Sequence, residues 1–198
     1  MIIRKKFSFE GAHIVRNCST KRCRSSAHGH SYVVEVFMKS SGLDNGMMVY
    51  DFGLMKGTIK EVIDAFDHTY VAWTQEDTEF KEFMKKHSER YIELPVSPSA
   101  ESLSLILLGM IRNVMSLTQG VNGEKDVEVF SVRVHETTTG YAQSFVEDLS
   151  LLETVDMSTI YFSNAVVSDF THPELYNVIK DFSSFNKEIP IFVNKDTV

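Results

Sequence analysis

The strongest constraint on this chain is a change of hydrophobic period along it. Residues 2–13 alternate, with Phe7, Phe9, Gly11 and His13 on one face, and alternation returns over 30–39 through Tyr32, Val34, Val36 and Met38. A period of two marks a strand with one buried face. Apolar residues then recur at helical spacing: Phe52, Met55, Ile59, Val62, Ile63 and Phe66 predict a helix over 52–66. Residues 77–88 read as a mostly polar helix with Phe80, Phe83 and Met84 on one side, and Ser97-Pro98 followed by Glu101 predicts a third helix running to Leu117. Alternation resumes over 127–136 and 141–147, around the turn Thr137-Thr138-Thr139-Gly140. Strands, then helices, then strands point to an α+β fold with an antiparallel sheet rather than repeated βαβ units. Beyond residue 148 lie two apolar stretches, 159–167 and 189–193, with a helix expected between them over 173–182.

The 198 residues suffice for one domain, or one domain with an appendage. The cysteines are Cys18 and Cys23, too few for a disulfide-stapled secreted scaffold. No apolar run approaches the roughly 20 residues that span a bilayer. The segment Met1–Phe9 carries charge without the apolar core of a signal peptide, so a cytoplasmic protein with no membrane partner is expected. A net charge of -7 argues against a nucleic-acid partner. The charge is uneven, however. Arg4, Lys5, Lys6, Arg16, Lys21, Arg22 and Arg24 meet only Glu10 within residues 1–30. A cationic segment on an acidic body suits a small anionic ligand, although a solvated basic loop over 14–27 explains the same pattern.

His13, His28 and His30 are the leading metal candidates. His28 and His30 are two apart at the start of a strand and so share a face. His13 ends the preceding strand, and a hairpin would bring all three imidazoles together. Three neutral imidazoles with an open fourth position describe a catalytic zinc site. Gly29 between two of them would let the backbone pass close to the metal. A structural zinc site of Cys18, Cys23, His28 and His30 is the alternative, and surface histidines on a strand are a third reading.

Cys23 lies in Lys21-Arg22-Cys23-Arg24, where flanking cations favour the thiolate, as a base or nucleophile requires. An inert loop thiol fits the same residues. Asp67-His68 closes the first helix, where the carboxylate can orient the imidazole for proton transfer. A histidine resting on the helix dipole is the plainer reading. Glu136, after the strand Val132–His135, can hold an amide-bearing ring or be an ordinary strand-end carboxylate. His87 and His172 read as surface residues, and His135 has no assigned role.

Taken in order, these residues resemble a known family. Phe7-Ser-Phe-Glu-Gly-Ala-His13, Cys23 with His28-Gly-His30-Ser-Tyr32, Met48-Val-Tyr-Asp-Phe52, Phe66-Asp-His-Thr-Tyr70, Ser97-Pro-Ser-Ala-Glu101 and Val134-His-Glu-Thr-Thr138 are similar to motifs of the 6-pyruvoyltetrahydropterin synthase / 6-carboxytetrahydropterin synthase family. The resemblance covers roughly residues 1–148 and leaves 149–198 as a C-terminal extension of unknown role. It implies a tunnelling fold (T-fold), with a four-stranded antiparallel sheet and two main helices on one face. It further implies a homo-oligomer with active sites at subunit interfaces. His13, His28 and His30 would bind Zn2+, and Cys23, Asp67 and His68 would transfer protons. Glu136 would anchor the pterin ring of 7,8-dihydroneopterin triphosphate. The implied activity is that of a lyase forming 6-carboxytetrahydropterin for queuosine synthesis. The pyruvoyl-forming reaction and a non-catalytic pterin-binding protein are the alternatives, and a small zinc-dependent nucleic-acid module is a more distant one. Four residues separate Cys23 from His28, against three in the carboxy-forming branch and five in the pyruvoyl-forming branch.

Overall fold

The computed structural model describes residues 1–182 and 190–194. Strand β1 (Ile2–His13) leads through the segment 14–27, which contains the short helix α1 (Lys21–Ser25), into β2 (His28–Lys39). The two strands pair antiparallel along their whole length, from Ile2 opposite Lys39 to His13 opposite His28. The helix expected over 52–66 is shorter. A 3-10 turn at Leu54–Lys56 precedes α2 (Thr58–Asp64), because Gly57 lies between them at φ -81 and ψ -124, outside the helical region.

The chain then forms β3 (Thr69–Trp73), α3 (Thr78–His87), β4 (Tyr91–Leu94) and α4 (Ala100–Ser116). The cap of α4 is Ser99, whose side chain accepts from the Ser102 amide at 3.3 Å, two residues beyond the Ser97 start that the sequence suggests. Next come β5 (Thr118–Gln119), β6 (Glu128–His135) and β7 (Tyr141–Phe145). The C-terminal segment adds 3-10 turns at Val146–Leu152 and Met157–Thr159, then β8 (Tyr161–Phe162), α5 (Asn164–Ser168), α6 (Leu175–Val178) and β9 (Phe192–Val193). The helix expected over 173–182 contracts to α6. Of the apolar stretch 189–193, residue 189 lies outside the described residues.

The expected four-stranded antiparallel sheet is enlarged. Among the described residues the main sheet has seven strands in the order β7-β6-β2-β1-β3-β4-β8. The first four are antiparallel as expected, but β3 runs parallel to β1 and β4 parallel to β3, so the sheet is mixed. Strands β3 and β4 are buried at almost every position, so they carry no alternation for the sequence to reveal. A separate parallel pair joins β5 to β9.

Helices α2 and α4 share the main core with one face of the sheet, contributing Ile59, Val62, Ile106 and Ile111 against Val34, Val36 and Val134. On α3, Phe80 and Met84 pack against a second cluster of Ile14, Tyr70, Ala72 and Tyr91. Helix α4 is apolar nearly all round. Its sheet side meets β6 and β7, and α6 brings Leu175, Val178 and Ile179 of the C-terminal segment into the same core. A helix covered on two sides needs more than one apolar stripe. Among the described residues, no helix is long and apolar enough to cross a membrane.

Ile106 is fully buried in α4. Ile106→Ala is expected to lower unfolding stability by about 2–5 kcal/mol, through lost burial and a residual cavity. Urea denaturation would show this as a lower midpoint at an unchanged slope.

Candidate active site

Register places the first group of residues. In the β1–β2 pair His13 lies opposite His28 and Gly11 opposite His30, so the three imidazoles emerge on the face that carries the Phe9–Tyr32 stack. Their ligand atoms lie within 4.8 Å of one another, close enough to hold one metal ion. Two of the rings have a backbone anchor. His13 Nδ1 is 2.6 Å from the Pro98 carbonyl and His28 Nδ1 is 2.9 Å from the Ser26 carbonyl. A carbonyl only accepts, so Nδ1 of His13 and of His28 carries the proton and Nε2 keeps its lone pair.

The electrostatics favour neutral rings. Burial lowers the pKa of His13 to about 4, and the neighbouring His28 and His30 oppose its protonation further. Burial also lowers His30. The Nε2 atoms of His13 and His30 are buried and have no hydrogen-bond partner. A buried lone pair without a donor is costly unless a ligand satisfies it. Two such atoms aimed at a third imidazole fit a divalent cation such as zinc, which takes neutral imidazole nitrogen at about 2.0–2.1 Å. Tyr32 joins the group, its hydroxyl 3.2 Å from His13 Nδ1, and burial raises its pKa so that the phenol stays protonated.

Glu136 lies just past β6. Its Oε1 is 3.6 Å from His13 Nε2 and 3.7 Å from His30 Nε2, which puts a carboxylate beside the same cluster. Gly29 has a different purpose from the one its position suggests. A Cβ there would approach the Gly11 carbonyl oxygen to 3.1 Å, so the glycine serves close packing of β1 on β2 rather than access to a metal.

Asp67 and His68 form a second, separate group in the turn between α2 and β3. Asp67 Oδ2 lies 2.9 Å from His68 Nδ1. Asp67 Oδ1 accepts from the Glu10 amide at 2.8 Å, while the His68 amide donates to the Glu10 carbonyl at 2.6 Å. Burial pushes the Asp67 carboxyl up, but the Glu10 amide, His68 and Arg90 together hold it below the usual carboxylate range. His68 has φ 55, a left-handed backbone that costs about 1–3 kcal/mol for a non-glycine residue and has to be held by its surroundings. Its side chain is 74% exposed. It borders a cavity of about 610 Å3 that Glu10, Ala12 and Ser31 line from the face away from the imidazoles and that His28 and His30 also border. Among the described residues no hydrogen bond or ring contact joins His68 to the three histidines.

Cys23 sits on α1, which none of its residues buries. The segment is tied down: Arg16 reaches Glu76 at 2.7 Å and the Arg24 carbonyl at 2.9 Å, and the Val15 amide donates to the Cys23 carbonyl at 3.1 Å. Cys18 and Cys23 are both free thiols outside the three-histidine cluster. One chain therefore brings together His13, His28, His30 and Glu136, brings together Asp67 and His68, and leaves Cys23 apart from both. His172, expected at the surface, is exposed there and lies 3.1 Å from Glu61. The Pro98 and Ser26 carbonyls had no side-chain signal. Arg90, an isolated cation between two predicted helices, had none either.

A family model described as 6-pyruvoyl tetrahydropterin synthase matches residues 2–147. The chain is 43% identical over 149 residues to the 6-carboxy-5,6,7,8-tetrahydropterin synthase of Helicobacter pylori (strain J99), covering 75% of this chain and 74% of the relative. It is 31% identical over 137 residues to the protein of the same name from Aquifex aeolicus, covering 67% and 82%. Among solved structures, an uncharacterised protein of Wolinella succinogenes matches with a TM-score of 0.57 at 22% identity, over 74% of this chain and 98% of that one. The 6-pyruvoyl tetrahydropterin synthase of Caenorhabditis elegans matches with a TM-score of 0.51 at 20% identity, over 73% and 94%. The architecture is thus of the T-fold kind, enlarged by β3, β4 and β8.

His28 is half-buried at a strand end, so its removal leaves the main core intact. His28→Ala is expected to lose bound zinc while the chain stays folded. Elemental analysis together with thermal melting checks this, and unfolding on metal loss would mark the site as structural instead.

Proposed function

This chain belongs to the 6-pyruvoyl tetrahydropterin synthase family, and on that premise we propose that it is a zinc-dependent 6-carboxy-5,6,7,8-tetrahydropterin synthase. The substrate would be 7,8-dihydroneopterin triphosphate, from which triphosphate and acetaldehyde leave, on the route to queuosine. The observation that carries the reading is the buried imidazole cluster with two unpartnered Nε2 atoms beside a carboxylate. The carboxy-forming branch is favoured by the likeness to the Helicobacter pylori and Aquifex aeolicus proteins, both named for that reaction.

The roles follow from chemistry. His13, His28 and His30 would hold zinc, which when bound polarises the side-chain oxygens of the substrate and acidifies the adjacent C–H. Cys23 would accept a proton through its thiolate form. Asp67 would fix the tautomer of His68, leaving Nε2 to deliver or relay a proton. The Glu136 carboxylate would accept from the amino and ring N–H groups of the pterin. The cations of 14–27 would attract the triphosphate.

The exposed His68 on the far face of β1 and β2 supports a homo-oligomer in which Asp67–His68 of one copy completes the imidazole cluster of another. We take residues 1–148 as the catalytic unit and 149–198 as an extension whose described residues pack onto it, in a protein of the reducing cytoplasm with no nucleic-acid partner.

Zinc-loaded protein incubated with 7,8-dihydroneopterin triphosphate is expected to yield the 6-carboxy pterin and acetaldehyde, identified by mass spectrometry. A 6-pyruvoyl product would overturn the branch, and unchanged substrate would overturn the activity. Glu136→Gln is expected to raise KM by about 10-fold or more, the loss of one charge-assisted pair, at unchanged zinc content. Loss of zinc from this variant would make Glu136 a metal ligand instead of a ring anchor.

A further inference from the structure

Arg90 meets the Asp67–His68 turn from behind. Its Nε donates to the Asp67 carbonyl at 2.7 Å, and Nη2 donates to the Asp64 carbonyl at 2.9 Å and the Ala65 carbonyl at 3.4 Å. Asp64 and Ala65 stand at the C-terminal end of α2, where a cation complements the helix dipole, and the Asp64 carbonyl accepts from the Asp67 amide as well, at 3.0 Å. The remaining nitrogen, Nη1, pairs with the Asp169 carboxylate of the C-terminal segment. The same segment grips α2 a second time. Glu61 accepts from the Thr171 amide at 3.0 Å, and His172 Nδ1 lies 3.1 Å from its other oxygen. Between these contacts Phe170 is buried in the main core, which fixes the segment against α2.

The turn is therefore held on two sides, by Glu10 of β1 in front and by Arg90 behind. The left-handed backbone of His68 requires such holding, because a released turn would relax toward a commoner conformation and carry the imidazole with it. A lone surface ion pair would add little. Arg90 differs in making three main-chain bonds in one fixed planar geometry while only 21% of its side chain is exposed.

We propose that Arg90 is a positioning residue for the Asp67–His68 pair and that Asp169–His172 locks it in place, so that residues beyond 148 take part in the proton-transfer step. This rests on the reading of Asp67–His68 as the proton-transfer pair.

The test uses the zinc-loaded full chain. Asp169→Asn removes one charge at an exposed position and leaves the core untouched. Arg90→Lys keeps the charge but cannot span the three carbonyls. Both are expected to lower kcat by about 10–100-fold, the cost of misplacing a reacting group, with KM and zinc content close to wild type, and Asp169→Asn also keeps a thermal midpoint close to wild type. Asp169→Glu is expected to restore most of the rate. The His68 ring resonances, followed by NMR, should shift in Asp169→Asn and return in Asp169→Glu. Wild-type kcat in Asp169→Asn and Arg90→Lys, alongside inactive His68→Ala, would overturn the clamp and leave the role of His68 standing. A His68→Ala variant with wild-type turnover would overturn both. A kcat that falls only in step with the folded fraction would also overturn the clamp.

Discussion

The site depends first on the register of β1 against β2. With His13 opposite His28 and Gly11 opposite His30, the ring centroids of the three histidines stand 4.7 to 5.1 Å apart. A slip of one residue would turn His28 and His30 to the opposite face from His13 and dissolve the cluster. Several contacts exclude that slip. On the core face Phe9 stacks on Tyr32 at 4.7 Å, and Val34, Val36 and Met38 are fully buried. On the other face the buried Glu35 is paired with Arg4 and Arg133. Apolar burial on one side and charge pairing on the other point to the same register, so core packing of the strands also aligns the ligands.

The antiparallel pair, and the metal candidates on it, were legible because both depend on local pattern. Alternation identifies β1 and β2, and histidines two apart on a strand share a face wherever the strand sits. The mixed half of the sheet was not legible. Tyr70, Val71 and Ala72 are buried on β3, as are Ile92 and Leu94 on β4, and a strand buried on both faces has no period of two to read. The break at Gly57 has a sequence signal, the glycine itself, but the apolar spacing runs straight through it. The Asp67-His68 dipeptide was legible as chemistry, but its position was not. Its placement on the far face of β1 follows from the parallel β1–β3 pairing, a long-range contact without local signal.

The burial of His13 shows how packing and function combine at one residue. A 1% exposed imidazole in the core is an expensive place for a proton, and its pKa of about 4 keeps it neutral throughout the physiological range. The Pro98 carbonyl that orients it comes from the approach to α4, so the helix that fills the core also fixes the tautomer of a ligand. A more exposed histidine would be cheaper for the fold but would spend more of its time protonated near neutral pH. It would then present a cation where a lone pair is required.

The two faces of the β1–β2 pair divide the proposed chemistry, and this gives the C-terminal segment its significance. The imidazole cluster is held by the main core, whose contacts are many and redundant. The Asp67–His68 turn stands outside it, exposed and in a strained backbone, where a few hydrogen bonds decide the conformation. Charged side chains at a surface hold geometry poorly unless something buried fixes them. Here Phe170 is buried, Asp169 is its immediate neighbour, and Arg90 carries the constraint to three carbonyls of α2 and the turn. The extension thus converts burial, which the exposed turn cannot supply for itself, into the position of an imidazole.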